Sequence, residues 1–306
     1  MAVEQSVSPG GSPNAATETP GGSERQPQSL TAAALRRLFR KPSAMVSLTA
    51  LLTLILLAIF AEVIAPYDPL EMGTGAALGA PGPGHWFGTD LFGRDLLSRT
   101  IYGGRISLMV GIAAVIISSI FGVTLGLVAG YYGRWLDMVI MRAMDMILAF
   151  PGIFLALAVV SLLGTGLTNA VLAVAISTIP TYTRTVRGSV LSAKELLYVD
   201  AARAMGVPDR LILVRHLLPN VIAPIIILMT LGVAWAILSI SSLSFLGLGA
   251  QPPTPEWGAL LYEGRGFLRE AWWLTTFPGA MIMITVMAVN RLGDGLRDAF
   301  DPRLKI

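Results

Sequence analysis

Thirty-eight consecutive residues, 146–183, carry no Asp, Glu, Lys, Arg or His. One helix of that length would rise about 57 Å, nearly twice the thickness of a bilayer's hydrocarbon core, so the run predicts two crossings rather than one. Gly164-Thr165-Gly166 and Thr168-Asn169 divide it into spans at about 144–163 and 169–187. The same reading gives spans at 44–64, stopped by Pro66 and Asp68-Pro69, at 106–129, from Asn220 to about Leu243, and at 271–290. The sequence therefore predicts an all-α polytopic membrane protein with six transmembrane helices. Composition agrees: 54% of the 306 residues are apolar and 13% are charged, against roughly 25% charged in soluble domains.

Several function classes fall away. With no cysteine there is no disulfide, thiolate metal site or thiol nucleophile, and two distant histidines, His85 and His216, make no metal centre. A net charge of +3 gives no argument for nucleic acid. The span centres hold essentially no ionisable group, which argues against a proton relay or an ion-driven carrier. No span carries a nucleophile–base pair or metal-ligand set, so an intramembrane enzyme is disfavoured. The chain also lacks a GxxxxGK[ST] phosphate loop, so the energy source lies elsewhere.

Lys and Arg placement sets the expected orientation. With the N-terminus in the cytoplasm, seventeen of the 22 basic residues fall on the inner side. Residues 1–43 then form a cytoplasmic tail, disordered over 1–29 and basic at Arg36, Arg37, Arg40 and Lys41. Residues 65–105 form an extracytoplasmic segment, 106–290 a five-helix core, and 291–306 a cytoplasmic tail. In the outer segment, Asp90–Arg94 and Asp95–Arg99 have the i, i+4 spacing of a short helix, and His85 beside Trp86 reads as an interfacial side chain. In the second span, Ser118, Gly122, Gly126 and Gly130 place small residues on one face for close helix packing.

The most specific segment is the inner loop 192–220. Ser192 and Glu195 have capping-box spacing for a helix over 196–205, and Gly206 is placed to end it. Pro208 suits the start of a second helix, 209–217, which Pro219 breaks. Ala201 and Ala202 offer a low-profile patch, with Asp200, Arg203 and Arg210 as orienting charges. On residues alone, a partner-docking unit and an amphipathic helix resting on the bilayer are equally good readings.

YVDAARAMG followed by HLLP resembles the EAA loop of ABC importer permeases, EAA-x3-G-x9-I-x-L-P. Ala201, Ala202, Gly206, Leu218 and Pro219 match, with Asp200 in place of Glu and His216 in place of Ile. WFGTDLFGRDLLSRTIYGGRISL (86–108), MRAMDMILAFP (141–151), PEWGALLYEG (255–264), NRLGDGLRDAFDPRLK (290–305) and a first span ending in APYDP are similar to signatures of the dipeptide, oligopeptide and nickel permease group, C-type subunit. The resemblance covers about residues 36–305. It implies a type I importer permease fold in a bacterial cell membrane, paired with a B-type permease. It also implies one or two cytoplasmic ATPases that use ATP and Mg, an extracytoplasmic solute-binding protein, and a peptide cargo or, alternatively, nickel or a metal chelate. ATPase coupling would then lie on Leu197, Tyr198, Val199, Asp200, Ala201, Ala202, Arg203, Met205, Gly206, His216 and Pro219.

Overall fold

The computed structural model describes residues 41–300. The expected tail at 1–29, Arg36, Arg37, Arg40 and residues 301–306 lie outside the described residues.

Helix α1 (Pro42–Ile59) has proline in its first turn, where the missing N–H costs nothing, and a single turn, α2 (Ala61–Ile64), follows before Pro66. Helix α3 (Leu96–Tyr132) begins ten residues before the expected 106. Asp95 starts it by accepting the Ser98 N–H at 2.7 Å and the Ser98 hydroxyl at 2.8 Å.

The span expected at 144–163 is not one helix. α4 (Arg134–Leu148) and α5 (Gly152–Leu163) meet at a 90° bend. Pro151 cannot continue the α4 hydrogen-bond ladder, and the twelve residues of α5 rise only about 18 Å. The Asn169 amide then donates to the Leu163 and Gly164 carbonyls, both at 3.0 Å, and closes the end of α5. α6 (Leu167–Ala193) contains the expected span 169–187.

The inner loop contributes α7 (Leu197–Ala204) and α8 (Asp209–Leu211). A π-helical segment, Ile212–Leu217, then leads directly into α9 (Leu218–Phe245). α10 (Trp257–Gly264) and α11 (Trp273–Phe300) complete the described chain. By length and composition four helices can cross a membrane: α1, α3, the continuous Asp209–Phe245 unit and α11. The bent α4–α5 pair makes a fifth if it counts as one span.

The most extensive packing is between α3 and α6. It is made by the small-residue face of α3. A Cβ built on Gly126 would stand 2.7 Å from the Thr183 carbonyl oxygen, and one on Gly130 would stand 2.8 Å from Val190 Cβ. Around this seam, Val115, Val160, Val174, Ile240 and Leu243 form the central core, and a second cluster gathers below it at the end bearing loop 192–220.

The opposite end is a cap in which residues 65–95 wrap the start of α3. Here Asp90, Arg94 and Arg99 do not build the expected short helix. Residues 90–94 form a turn, and Asp95 spends its carboxylate on the helix start and on His85 Nδ1 at 2.9 Å. Arg99 turns instead to Asp90 and to Glu263 of α10, whose Oε2 lies 2.9 Å from Nη1. Arg94 joins the same two carboxylates at 2.6 and 3.0 Å, so four charges neutralise one another in a cluster where Asp90, Arg94 and Arg99 are buried and Glu263 is half-buried. His85 packs within the cap: it stacks on Tyr67, and its Nε2 lies 3.0 Å from the Thr74 carbonyl. Glu256, fully buried, starts α10 by accepting from Ala259 N–H at 3.0 Å and from the Ser107 and Ser241 hydroxyls.

Candidate functional site

Loop 192–220 is ordered from end to end, but it is not built from the expected capping box. Ser192 lies inside α6 and its hydroxyl turns back to the Gly188 carbonyl, while α7 starts at Leu196 without a side-chain cap. Packing of Val190 and Ala193 into the lower cluster carries α6 through that local signal. Lys194 reaches across to donate to the Gly130 carbonyl at the end of α3, at 3.0 Å.

α7 presents two faces. Val199 and Ala202, three residues apart, are fully buried against Val190, Ile212 and Leu217. Leu197 is 86% exposed and Met205 76% exposed, and Asp200, Ala201 and Ala204 are exposed beside them. The two alanines expected to form one patch are thus separated: Ala202 holds the helix down and Ala201 faces outward. Tyr198 is half-buried, and its hydroxyl is enclosed without a hydrogen-bond partner.

Gly206 ends α7 in a Schellman arrangement. Its φ is +75°, its N–H donates to the Arg203 carbonyl at 2.9 Å, and Val207 N–H donates to the Ala202 carbonyl at 3.1 Å. The chain then doubles back through Pro208 into α8. Pro219 does not break the second helix as expected, because it stands in the first turn of α9. The wider π-turn before it removes the clash a proline ring makes with the preceding turn, and the Asn220 amide takes the His216 carbonyl at 2.6 Å. His216 and Pro219 therefore lie in the π-helical segment and in the first turn of α9 rather than on α7 itself.

Three further residues complete the unit. The Tyr131 hydroxyl, at the end of α3, donates to Asp209 Oδ1 at 2.7 Å, and the Arg203 guanidinium lies 5.2 Å over the Tyr131 ring. Arg203 also pairs with Asp200 at 3.4 Å. The Tyr131 hydroxyl beside it, more than any other group, holds the Arg203 pKa above the ordinary arginine value. Tyr131 and Asp209 stand 78 residues apart, and no periodicity or motif in the sequence connects them.

Away from the loop, an open cavity of about 610 Å³ lies between α3, α6, α9 and α11. Ser177, Thr178, Thr181, Tyr182, Trp235 and Asn290 are among its lining, and no charged side chain is.

The surroundings of these features are found in known proteins. Residues 122–306 match the family model described as the binding-protein-dependent transport system inner membrane component. Residues 29–81 match the N-terminal TM domain of oligopeptide transport permease C. The dipeptide transport system permease protein DppC of Alkalihalophilus pseudofirmus is 48% identical over 89% of this chain and 90% of its own. The glutathione transport system permease protein GsiD of Pectobacterium atrosepticum is 47% identical over 88% of this chain and 90% of its own. Among solved structures, a chain of the MetNI methionine ABC transporter in an inward-facing conformation superposes with a TM-score of 0.52 at 18% identity. It covers 67% of this chain and 96% of its own, and shows the shared helical fold. A match over more than half of the chain, joined to near-half identity along almost all of it, places the helix bundle and its ordered loop together: the chain belongs to the family of binding-protein-dependent transport system inner membrane components.

Proposed function

We propose that this chain is one of two membrane subunits of an ATP-driven importer of short peptides, with α7 and the Gly206 turn as the part that engages a cytoplasmic ATPase. The observation that carries this reading is the outward face of α7. Leu197, Ala201 and Met205 form an apolar stripe on a helix otherwise anchored by Val199 and Ala202, which suits a groove in another protein better than water. A helix resting on the bilayer would also hide that stripe, but it would give no use to the rigid Schellman turn or the buttress from α3.

The peptide cargo follows from two relatives whose names specify a dipeptide and glutathione, itself a tripeptide. The 610 Å³ cavity, lined by no charged side chain, is the chain's share of the passage and suits cargo whose side-chain charge varies. The other half comes from a B-type permease, and a solute-binding protein delivers the peptide from outside. The chain itself binds no cofactor and catalyses no reaction; ATP and Mg are used by the one or two ATPase subunits. With α6 counted as a sixth crossing and both termini in the cytoplasm, loop 192–220 would lie beside those subunits.

Purification from the native membrane in mild detergent tests this reading. A second permease, a phosphate-loop ATPase and a peptide-binding protein are expected to accompany the chain. A nickel-binding protein in place of the last would keep the mechanism and change the cargo, and recovery of the chain alone would overturn the reading.

Gly206 gives a graded test. Nothing lies within 4 Å of a Cβ built there, so a substitution meets only backbone strain at φ +75°. Gly206→Asn should be tolerated, Gly206→Ala should be intermediate, and Gly206→Val should cost about 1–2 kcal/mol in the loop alone. ATP hydrolysis stimulated by the binding protein is expected to fall in that order while membrane insertion stays constant. Equal activity across the series would remove the turn from the coupling mechanism.

A further inference from the structure

The geometry points to Tyr131 as the joint that makes loop 192–220 and helix α3 move as one body. This inference rests on the importer reading above, and it reassigns Arg203 from a partner contact to an internal one.

The loop meets the last turn of α3 at three separate points. Before α7, the Lys194 ammonium donates to the Gly130 carbonyl at 3.0 Å. On α7 itself, Arg203 lies over the Tyr131 ring at 5.2 Å. After the Gly206 turn, Asp209 accepts the Tyr131 hydroxyl at 2.7 Å. Tyr131 is 8% exposed and is the one side chain common to the last two contacts. Beneath them lies only apolar packing, of Val199, Ala202, Ile212 and Leu217 against Leu127, Val186 and Val190.

Those two kinds of contact do different work. Apolar burial holds α7 against the bundle but has no preferred direction, so α7 can pivot on it. A hydrogen bond to a carboxylate is stronger than one between neutral groups and fixes an angle, here between the buried Tyr131 and Asp209 at the surface. Tyr131 also sits two residues before Gly133, where α3 ends and the chain turns into α4. A push on α7 therefore reaches α3 through the tyrosine, and α3 carries it along the Gly122–Gly130 seam to α6 and on to the cap. Without the hydroxyl, α7 still docks on its partner, but its motion is spent in the pivot.

Tyr131→Phe removes the hydroxyl alone and keeps the ring under Arg203. In the intact importer reconstituted in liposomes, ATP hydrolysis should stay within about twofold of wild type while dipeptide taken up per ATP falls about tenfold, the scale of one hydrogen bond to a charged group. Asp209→Ala should reproduce that loss. Asp209→Asn, whose carboxamide oxygen still accepts, should recover most of the ratio. Because the chain has no cysteine, spin labels at Phe121→Cys on α3 and Ala204→Cys on α7 report the joint directly. The distance distribution should be narrow in wild type and in Asp209→Asn, and broadened in Tyr131→Phe. Hydrolysis and uptake falling in equal proportion would make Tyr131 a docking determinant and overturn the joint, as would an unchanged ratio with an unchanged distance distribution. Failure of the importer reading itself shows elsewhere, as a wild-type complex without an ATPase. Failure of the cargo assignment shows as wild-type hydrolysis without dipeptide uptake, and the distance measurement then still decides.

Discussion

Arg99→Ala is expected to destabilise the purified chain by about 3–5 kcal/mol, the range for removing one partner of a buried ion pair. The side chain is fully buried, with Nη1 on Asp90 and on Glu263 Oε2, and Nη2 3.3 Å from Glu263 Oε1. Removing it leaves the buried Asp90 and the partly exposed Glu263 with only Arg94 between them. Asp90 belongs to the cap, where it also accepts the Phe92 and Arg94 backbone N–H groups at 2.8 and 3.0 Å, and Glu263 belongs to α10. The cluster therefore ties the cap to both α3 and α10, and its loss should release the whole outer end. Thermal unfolding in detergent should show a midpoint lower by about 10 °C. Arg99→Lys keeps the charge but not the two-pronged geometry and should fall between. Adding Glu263→Gln to Arg99→Met, which removes the stranded charge, should recover part of the loss. A midpoint for Arg99→Ala within a degree of wild type would show that water already reaches the cluster.

That cluster marks where sequence reading stops. Asp90–Arg94 and Asp95–Arg99 have the spacing of helical pairs, and only the first pair forms, in a turn. Arg99 finds Glu263 164 positions away, and no local rule points there. The same override explains Ser192. Its capping-box spacing to Glu195 is real, but α6 is still gaining buried contacts at Val190 and Ala193, so the helix runs on past the signal. The bend at Pro151 was visible as a proline inside an apolar run; its 90° angle was not, because hydropathy sees depth and not direction. Pro219 misleads for a different reason: the π-turn that accommodates it has no sequence signature of its own.

What could be read was set by short-range physics. Runs without charge predict crossings because the bilayer imposes their length, and Gly206 predicts a helix end because few residues adopt its φ. The end of α7 at Gly206 was legible from the sequence. The roles of its residues were not, since burial separates Ala201 from Ala202 although they are neighbours. Tyr131 was invisible for the same reason as Glu263: a partner on a distant element leaves no local trace.

The seam between α3 and α6 provides the other large effect. A Cβ built on Gly122 would stand 2.4 Å from Tyr182 Cβ and 3.0 Å from the Ile179 carbonyl oxygen. These atoms belong to the α6 backbone or are fixed directly to it, so no flexible chain end can give way. Tyr182 is held in turn by its hydroxyl bond to the Leu228 carbonyl at 3.3 Å and by burial among Val115, Val174 and Ile240. A side chain at Gly122 must therefore drive α3 and α6 apart and open the central core. Gly122→Val is expected to cost about 3 kcal/mol or more, at or above the upper end for overpacking, and to yield little monodisperse protein after extraction. Gly122→Ala should already lower the unfolding midpoint measurably. Gly188→Ala is the matched control on α6, because nothing lies within 4 Å of its built Cβ. There the exchange only relieves the glycine penalty inside a helix and should be neutral or stabilising by up to about 1 kcal/mol. If Gly122→Ala and Gly188→Ala behave alike, the two helices are not in the close contact that the small-residue face was read to provide.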